Sequence, residues 1–478
     1  MEEFDLIVIG SGSGLDVANA ASEKGLKVAI IEKYKLGGTC LNTGCIPSKL
    51  LIHSADIIET IKGADTFGII VKDYSIDFQK IVNRVNKIVD TDANKIKNGL
   101  QENKNPRLFL DDCKFIGEKK IAISNNEIIT ADKILIASGT RPFIPKIKGL
   151  ENVEYITSNE ALRLKQQPKI LTIIGGGYIA CELGHFFGSL GTKINIIQKN
   201  DLLIPNEDID ISTKFTEIFS KKYNVFLGHN PEEVFYASKK EKNNGSDSGD
   251  QQKIVNVIAK YKSGDSIKLQ SDQLLIATGR IPNSDLLDIK KSGIKINEKG
   301  FILVDEYLET NIEGIFALGD AVGKYQFKHN ANNEAQYAYN NIIYPDKKIP
   351  VNYTAMPHAI FTNPQIAGVG YTEQQLRKEK MIEYEKSIYP YINTAMGQAI
   401  EDKEGFVKLL VDKKNRKILG CHIMGTDASI LIHEVLVAMK MQHGGTKDEE
   451  EGNIDNITNT IHIHPALSEV VDRAASAL

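Results

Sequence analysis

The 478-residue chain is too long for one ordinary domain, and roughly two to four are expected. Hydrophobic content of 42% and charged content of 25% are those of a globular protein that needs no membrane. A net charge of −4 offers no basic field for nucleic acid, and no apolar run reaches the length of about 18 residues that a membrane span needs.

The chain opens "MEEFDLIVIG", acidic and immediately strand-like. Without a basic leading region it is not expected to be a signal peptide. Five cysteines are too few for a secreted disulfide framework and suit a reducing cytoplasm.

Residues 4–33 read as strand, Gly-rich turn, helix and strand, a βαβ unit. Gly10 permits the tight turn, and Gly12 lets the backbone approach a pyrophosphate at the helix N-terminus. The third fingerprint position, residue 15, is Leu, so a looser helix–strand fit is expected there, with Gly14 able to compensate. Glu32 closes the second strand, where an acid binds ribose hydroxyls.

Next comes "GGTCLNTGCIPSK" (37–49), with Cys40 and Cys45 at a loop-to-helix junction. A zinc site would need two more ligands, and no second CxxC or His pair is well placed. A thiolate at a helix N-terminus is stabilised by the dipole, which suits a redox thiol, and Pro47 suits a first turn. Cys113, Cys181 and Cys421 lie in apolar surroundings and read as packing residues. The apolar spacing of Phe78, Ile81, Val82, Val85, Ile88 and Val89 predicts an amphipathic helix over 78–100.

The βαβ pattern returns at 170–199. Gly175, Gly177 and Ala180 fit GxGxxG/A, but the acid expected after the next strand is replaced by Gln198, followed by Lys199. An acid favours NAD and a cation tolerates the 2′-phosphate of NADP, so this pair leaves the choice open. Residues 239–253 and 444–453 are polar and read as solvated loops. Two prolines in 346–357 mark the boundary of a last domain. The tail "IHIHPALSEVVDRAASAL" sets His464 five residues before Glu469, an acid able to orient a His base. His462 is left without a role.

Together these motifs resemble the class I FAD-dependent pyridine nucleotide–disulfide oxidoreductases over the whole chain. "GGTCLNTGCIPSK" resembles the redox-active disulfide motif. "ILIASGTRP" (134–142) and "LLIATGRIPN" (274–283), with Gly139 and Gly279, look like the two crossover segments. "TNIEGIFALGDA" (310–321), with Asp320 and Ala321, looks like the second FAD motif, and "HPALSE" (464–469) like the His–Glu signature.

The resemblance implies an α/β fold with two Rossmann-like dinucleotide-binding domains, for FAD and NAD(P), plus a C-terminal α+β dimerisation domain. The implied boundaries are 1–148 for the first FAD-binding part, 149–275 for NAD(P), 276–347 for the second FAD-binding or central part, and 348–478 for dimerisation. It implies a cycling Cys40–Cys45 disulfide, with Cys45 as the thiolate near the flavin and Cys40 as the interchange thiol. Lys49 and Glu182 match an ion pair near the reactive flavin nitrogen, and Tyr178 matches a lid over the nicotinamide. His464 and Glu469 of one subunit complete the site of the other, so a two-fold homodimer is expected.

The activity expected first is dihydrolipoyl dehydrogenase: dihydrolipoamide plus NAD+ to lipoamide plus NADH. The alternative is NADPH-dependent reduction of a low-molecular-weight disulfide, as in mycothione reductase, toward which "GSGSGL", "FKHNANNEAQ" (327–336) and Gln198 lean. Mercuric reductase fits less well, because the chain ends "RAASAL" without cysteines, and glutathione reductase fits less well because this chain has no recognisable set of glutathione-binding arginines. A non-catalytic flavoprotein subunit is disfavoured by the intact Cys40, Cys45, His464 and Glu469. No lipoyl segment lies in the chain, so a lipoyl group would come from a partner protein.

Overall fold

The computed structural model describes residues 1–124, 127–237, 253–379, 382–441 and 451–478. The first sheet has seven strands. Glu2–Ile9 sits between Val28–Ile31 and Ile128–Ile136, parallel to both, with Leu6 opposite Val28 and Ile7 opposite Ile134. Buried on both faces, such strands are continuous apolar runs rather than alternating ones. Arg107–Phe109 extends the sheet on one side, and Ile315–Ala317 returns much later in the chain to pair with Ile128–Ile136.

The helix Gly14–Glu23 packs on this sheet through Leu15, Val17, Ala18 and Ala21. The looser fit expected at residue 15 is not found. Gly14 makes the close approach instead: a Cβ there would stand 2.8 Å from Val8 Cγ1 and 2.9 Å from the Ala137 Cβ. Leu15 is buried in the core, so the small residue is displaced by one position.

The cysteine helix, Cys45–Gly63, leads to the long helix Phe78–Glu102. Asp77 caps the latter by accepting from the Lys80 N–H at 2.8 Å. Its buried stripe is Phe78, Val82, Val85 and Val89, as the 3.6-residue spacing predicts, while Ile88 stays exposed.

The second parallel sheet orders Asn224–Leu227, Lys193–Gln198, Ile170–Ile174 and Gln273–Ile276. A three-stranded antiparallel sheet follows, in which His229–Tyr236 pairs with Val255–Tyr261. The polar insert expected between these two strands lies almost wholly outside the described residues, as does most of 444–453. The two crossover segments pair with each other, Thr140–Pro142 against Arg280–Pro282.

The C-terminal sheet is five-stranded and antiparallel: Pro357–Ile360, Gln365–Gly370, Ile418–Gly425, Phe406–Asp412 and Tyr384–Pro390. Apolar residues from the cysteine helix, the second parallel sheet with its helix Tyr178–Ser189, and this sheet (Leu51, Ile173, Phe186, Ile360, Met424) share one continuous core.

Polar contacts lock the same junction. Lys408, fully buried, donates to Asp208 at 2.7 Å and Glu373 at 2.7 Å, and to Asp210 at 2.5 Å. One cation thus faces three carboxylates from two parts of the chain, the arrangement that burial of a charge requires. Among the described residues no helix is long and apolar enough to cross a membrane.

Candidate active site

Cys40 does not lie in a loop as expected. It sits in a short helix, Gly38–Thr43, and Cys45 is the first residue of the next one. Gly44 makes this sharp junction possible: a Cβ there would meet Thr39 O at 2.8 Å and Cys40 Cα at 3.3 Å. Asn42 ties the segment down, donating to Leu36 O at 2.9 Å and Gly38 O at 3.0 Å.

Both cysteines are free thiols, Cys45 exposed and Cys40 half-buried. Their acidities diverge. The neighbouring Cys40 thiol, helped by the Lys49 charge, lowers the exposed Cys45 to about 7. The Cys45 thiol and burial push Cys40 up, opposed by the Lys328 charge. Negative charge on the pair is therefore favoured at Cys45. By contrast, burial pushes Cys113 up to about 12 and also raises Cys181 and Cys421, none of which can join this chemistry.

One turn beyond Cys45, Lys49 Nζ lies 2.8 and 2.7 Å from the two carboxylate oxygens of Glu182. Glu182 projects from the helix Tyr178–Ser189 of the second βαβ unit. Its carboxylate also accepts the Phe361 N–H at 2.9 Å, and Lys49 Nζ lies 4.6 Å from the Phe361 ring centre. The three segments therefore meet at this pair.

His464 and Glu469 are joined directly, Nδ1 to Oε1 at 2.9 Å. The second oxygen of Glu469 accepts the Ala466 N–H at 3.2 Å. The hydrogen bond to His464 holds the Glu469 carboxyl below its ordinary range. With Nδ1–H directed at the carboxylate, the lone pair falls on Nε2. The His464 side chain is 72% exposed, and the helix that Glu469 begins, Glu469–Ser476, packs on the C-terminal sheet. His462 turns instead to Glu434, with which it pairs.

The Gly10 turn has φ +104°, and a Cβ there would lie 2.3 Å from Ala137 O. Gly175 repeats this, with φ +117° and 2.2 Å to Ala277 O. Gly12, Gly177, Gly139 and Gly279 all direct their absent Cβ into open space, so the backbone at each can be approached closely.

Glu32 accepts from Ser11 N–H at 3.0 Å, Ser11 Oγ at 2.7 Å and Tyr34 N–H at 2.9 Å, fixed beside the first turn. Ser138 Oγ, next to this turn, is buried without a partner among the described residues. Asp320 accepts from Thr140 Oγ1 at 2.9 Å, and burial raises its carboxyl; Ala321 beside it is fully buried. These features fit FAD at the first turn and a nicotinamide dinucleotide at the second.

At the second turn Gln198 is buried, its amide donating to Leu202 O at 3.2 Å, while Lys199 is exposed. Ala180 is fully buried where the helix meets the sheet. Tyr178 donates its hydroxyl to Glu207, and its ring stacks on His358.

The motif reading assigned no role to Arg280, although it stands inside "LLIATGRIPN". Its Nε donates to Thr140 Oγ1 at 2.7 Å and its Nη2 to Thr140 O at 2.8 Å. Burial lowers it, opposed by the charges of Asp320 and Cys45. Lys328 was missed too. It donates to Ser13 Oγ at 2.8 Å beside the first Gly turn, and its charge reaches Cys40. Glu207 and His358 carry no motif signal, because they meet only when distant segments pack.

Family comparisons agree with this geometry. A model described as pyridine nucleotide-disulphide oxidoreductase matches residues 4–335, and the dimerisation domain of the same family matches 356–475. The chain belongs to this family of FAD-dependent enzymes that use NAD(P)H.

Over its full length and theirs, it is 34% identical to a mycothione reductase of Mycobacterium tuberculosis (strain ATCC 25618 / H37Rv). It is 33% identical to a dihydrolipoyl dehydrogenase of Vibrio cholerae, covering 98% of this chain and 94% of that one. Among solved structures it resembles the HOCl-induced flavoprotein disulfide reductase RclA from Escherichia coli, with a TM-score of 0.84, 26% identity and full coverage of both chains.

Proposed function

We propose that the protein is a dithiol–disulfide oxidoreductase whose working pair is Cys40 and Cys45. The observation that carries this is the placement of the pair: Cys45 is the first residue of its helix, one turn before the Lys49 that holds Glu182 at 2.7 Å, and Cys40 lies in the short helix just before it. Cys45, at the helix N-terminus beside Lys49, holds negative charge; Cys40 exchanges with substrate and needs a base. His464, oriented by Glu469, is that base, and it acts in the site of a second subunit. The dimerisation-domain match supports such a homodimer.

In the dithiol-oxidising direction the Cys40–Cys45 bond is the electron acceptor. His464 takes a proton from the first substrate thiol. The resulting thiolate attacks Cys40 Sγ, forming a mixed disulfide and releasing Cys45 as thiolate. The second substrate thiol, its proton lost to solvent, then attacks the substrate sulfur, and Cys40 leaves, taking the proton held by His464. The substrate is now a disulfide, and the two electrons rest on the pair as the Cys40 thiol and the Cys45 thiolate, with one proton released. Bound FAD supplies the two-electron relay from Cys45 to a nicotinamide. Lys49 and Glu182 hold charge and position at that relay, and Glu32, Asp320 and the Gly turns grip the dinucleotides.

The substrate pair we propose first is dihydrolipoamide with NAD+, in the reducing cytoplasm, supported by full-length relatives bearing the dihydrolipoyl dehydrogenase name. Gln198 favours a second reading, NADPH-driven reduction of a low-molecular-weight disulfide. A buried amide turned to Leu202 O offers no charge to a 2′-hydroxyl, and exposed Lys199 stands beside it.

The deciding assay offers the purified flavoprotein dihydrolipoamide with NAD+ or NADP+. Fast turnover with NAD+ supports the first reading. Negligible turnover, with flavin reduced by NADPH, moves the function to a small-disulfide reductase.

A further inference from the structure

Tyr178 is the first residue of its helix and lies four residues, one turn, before Glu182. It therefore shares a face with the Lys49–Glu182 pair. Its hydroxyl is not left to solvent: it donates to Glu207, whose other oxygen takes His358 Nε2 at 2.7 Å. The His358 ring is stacked parallel to the tyrosine ring, 6.2 Å away at 5°, and Phe327 stacks on its side as well. Tyr178 is held both at its hydroxyl and at its ring.

Glu207 is itself held in place. Its backbone carbonyl accepts from Gln374 Nε2 at 2.7 Å, and Gln374 Oε1 takes the Ile209 N–H at 3.1 Å. The next residue, Asp208, is bound to the buried Lys408 and to the Glu373 N–H at 2.8 Å. On the other side, the Ile204 N–H reaches Gly176 O in the second Gly turn at 2.7 Å. His358 is seated on Gly368, where a Cβ would come within 2.7 Å of its Cε1. A carboxylate this constrained has no structural need for the tyrosine, since the Lys408 cluster already joins the segments.

We infer that Glu207 and His358 are positioning residues for the nicotinamide half-reaction: they hold Tyr178, expected from its motif position to lie over the nicotinamide, in one orientation from the C-terminal sheet. The inference rests on the nicotinamide lying at the Gly175–Gly177 turn, as proposed above. A pre-ordered ring costs no ordering when the dinucleotide binds. A released ring must be immobilised at each binding event, which weakens binding by about threefold to tenfold.

The test measures flavin reduction in the holoenzyme against nicotinamide concentration, beside steady-state KM for the thiol or disulfide substrate. Glu207→Ala and Tyr178→Phe should each raise the half-saturating nicotinamide concentration about threefold to tenfold. The thiol-side KM should stay within about twofold. The double variant should be no worse than the worse single one, because both remove the same bond. Glu207→Gln, which keeps an acceptor for the tyrosine, should recover most of the loss.

An unchanged half-saturation in Glu207→Ala, or effects that multiply in the double variant, would overturn the clamp. If Glu207→Ala loses FAD, Tyr178→Phe carries the same comparison, since it removes only the hydroxyl. A wild-type flavin that neither NADH nor NADPH reduces would instead overturn the underlying placement, and the clamp with it.

Discussion

Lys49 Nζ touches both oxygens of Glu182, at 2.8 and 2.7 Å, between the cysteine helix and the helix of the second βαβ unit. Glu182 also accepts the Phe361 N–H, so its charge is balanced and its carboxylate cannot rotate freely. Such a fixed pair stabilises charge that shifts during hydride transfer without reorganising. Glu182→Gln keeps the Phe361 contact and removes the charge. It should slow nicotinamide-driven flavin reduction by at least about tenfold in stopped-flow mixing. Exchange at Cys40, followed with a chromogenic disulfide, should be nearly unaffected.

His464→Gln removes the base and keeps a hydrogen-bonding side chain of similar reach. Turnover with thiol substrate should fall by at least about a hundredfold, while reduction of the flavin by nicotinamide continues. Loss of both half-reactions would mean that His464 serves the fold rather than proton transfer. Glu469→Ala should give a smaller loss of the same kind, because the ring survives without its orienting acid.

Local chemistry was readable before any coordinates. Gly10 and Gly175 announce turns that admit no side chain, and Cys45 before Pro47 announces a helix start. The helix at Phe78 follows from its apolar spacing. Less readable was anything set by non-local packing. Gly14 replaces residue 15 at the helix–strand contact because the displaced Leu15 finds room in the core. Cys40 lies in a helix of only six residues, too short for a periodic signal. Lys408, Glu207 and His358 acquire partners from segments well over a hundred residues away, which no local pattern encodes.

Lys408 offers a stability test away from the thiols. Lys408→Ala would leave Asp208 and Glu373 facing one another beside Asp210 without the buried cation between them, with Lys386 and Arg377 remaining on Glu373 alone. The cost should be about 3–5 kcal/mol, read as a lowered denaturation midpoint. The lysine partners also hold Glu373 down to about 2. A depressed carboxyl contributes stability above its unfolded pKa and loses it as pH falls through the folded value. The penalty of the substitution should therefore be full at neutral pH and shrink in strong acid.

Gln198 stands where an acid selects NAD. Gln198→Glu should shift the ratio of NADH to NADPH efficiency toward NADH, measured as kcat/KM for each. An unchanged ratio would mean that this side chain does not face the ribose.

The central claim is that Cys45 carries the thiolate of the pair and Cys40 the exchanging thiol. The most direct measurement is the long-wavelength thiolate–flavin absorbance of the two-electron-reduced holoenzyme, recorded against pH in wild type, Cys45→Ser and Cys40→Ser. The lowered Cys45 pKa predicts a band that is full in alkaline buffer and fades as pH falls through about 7. Cys40→Ser should keep a band and Cys45→Ser should have none. A band that survives in Cys45→Ser and vanishes in Cys40→Ser would reverse the assignment and contradict the account.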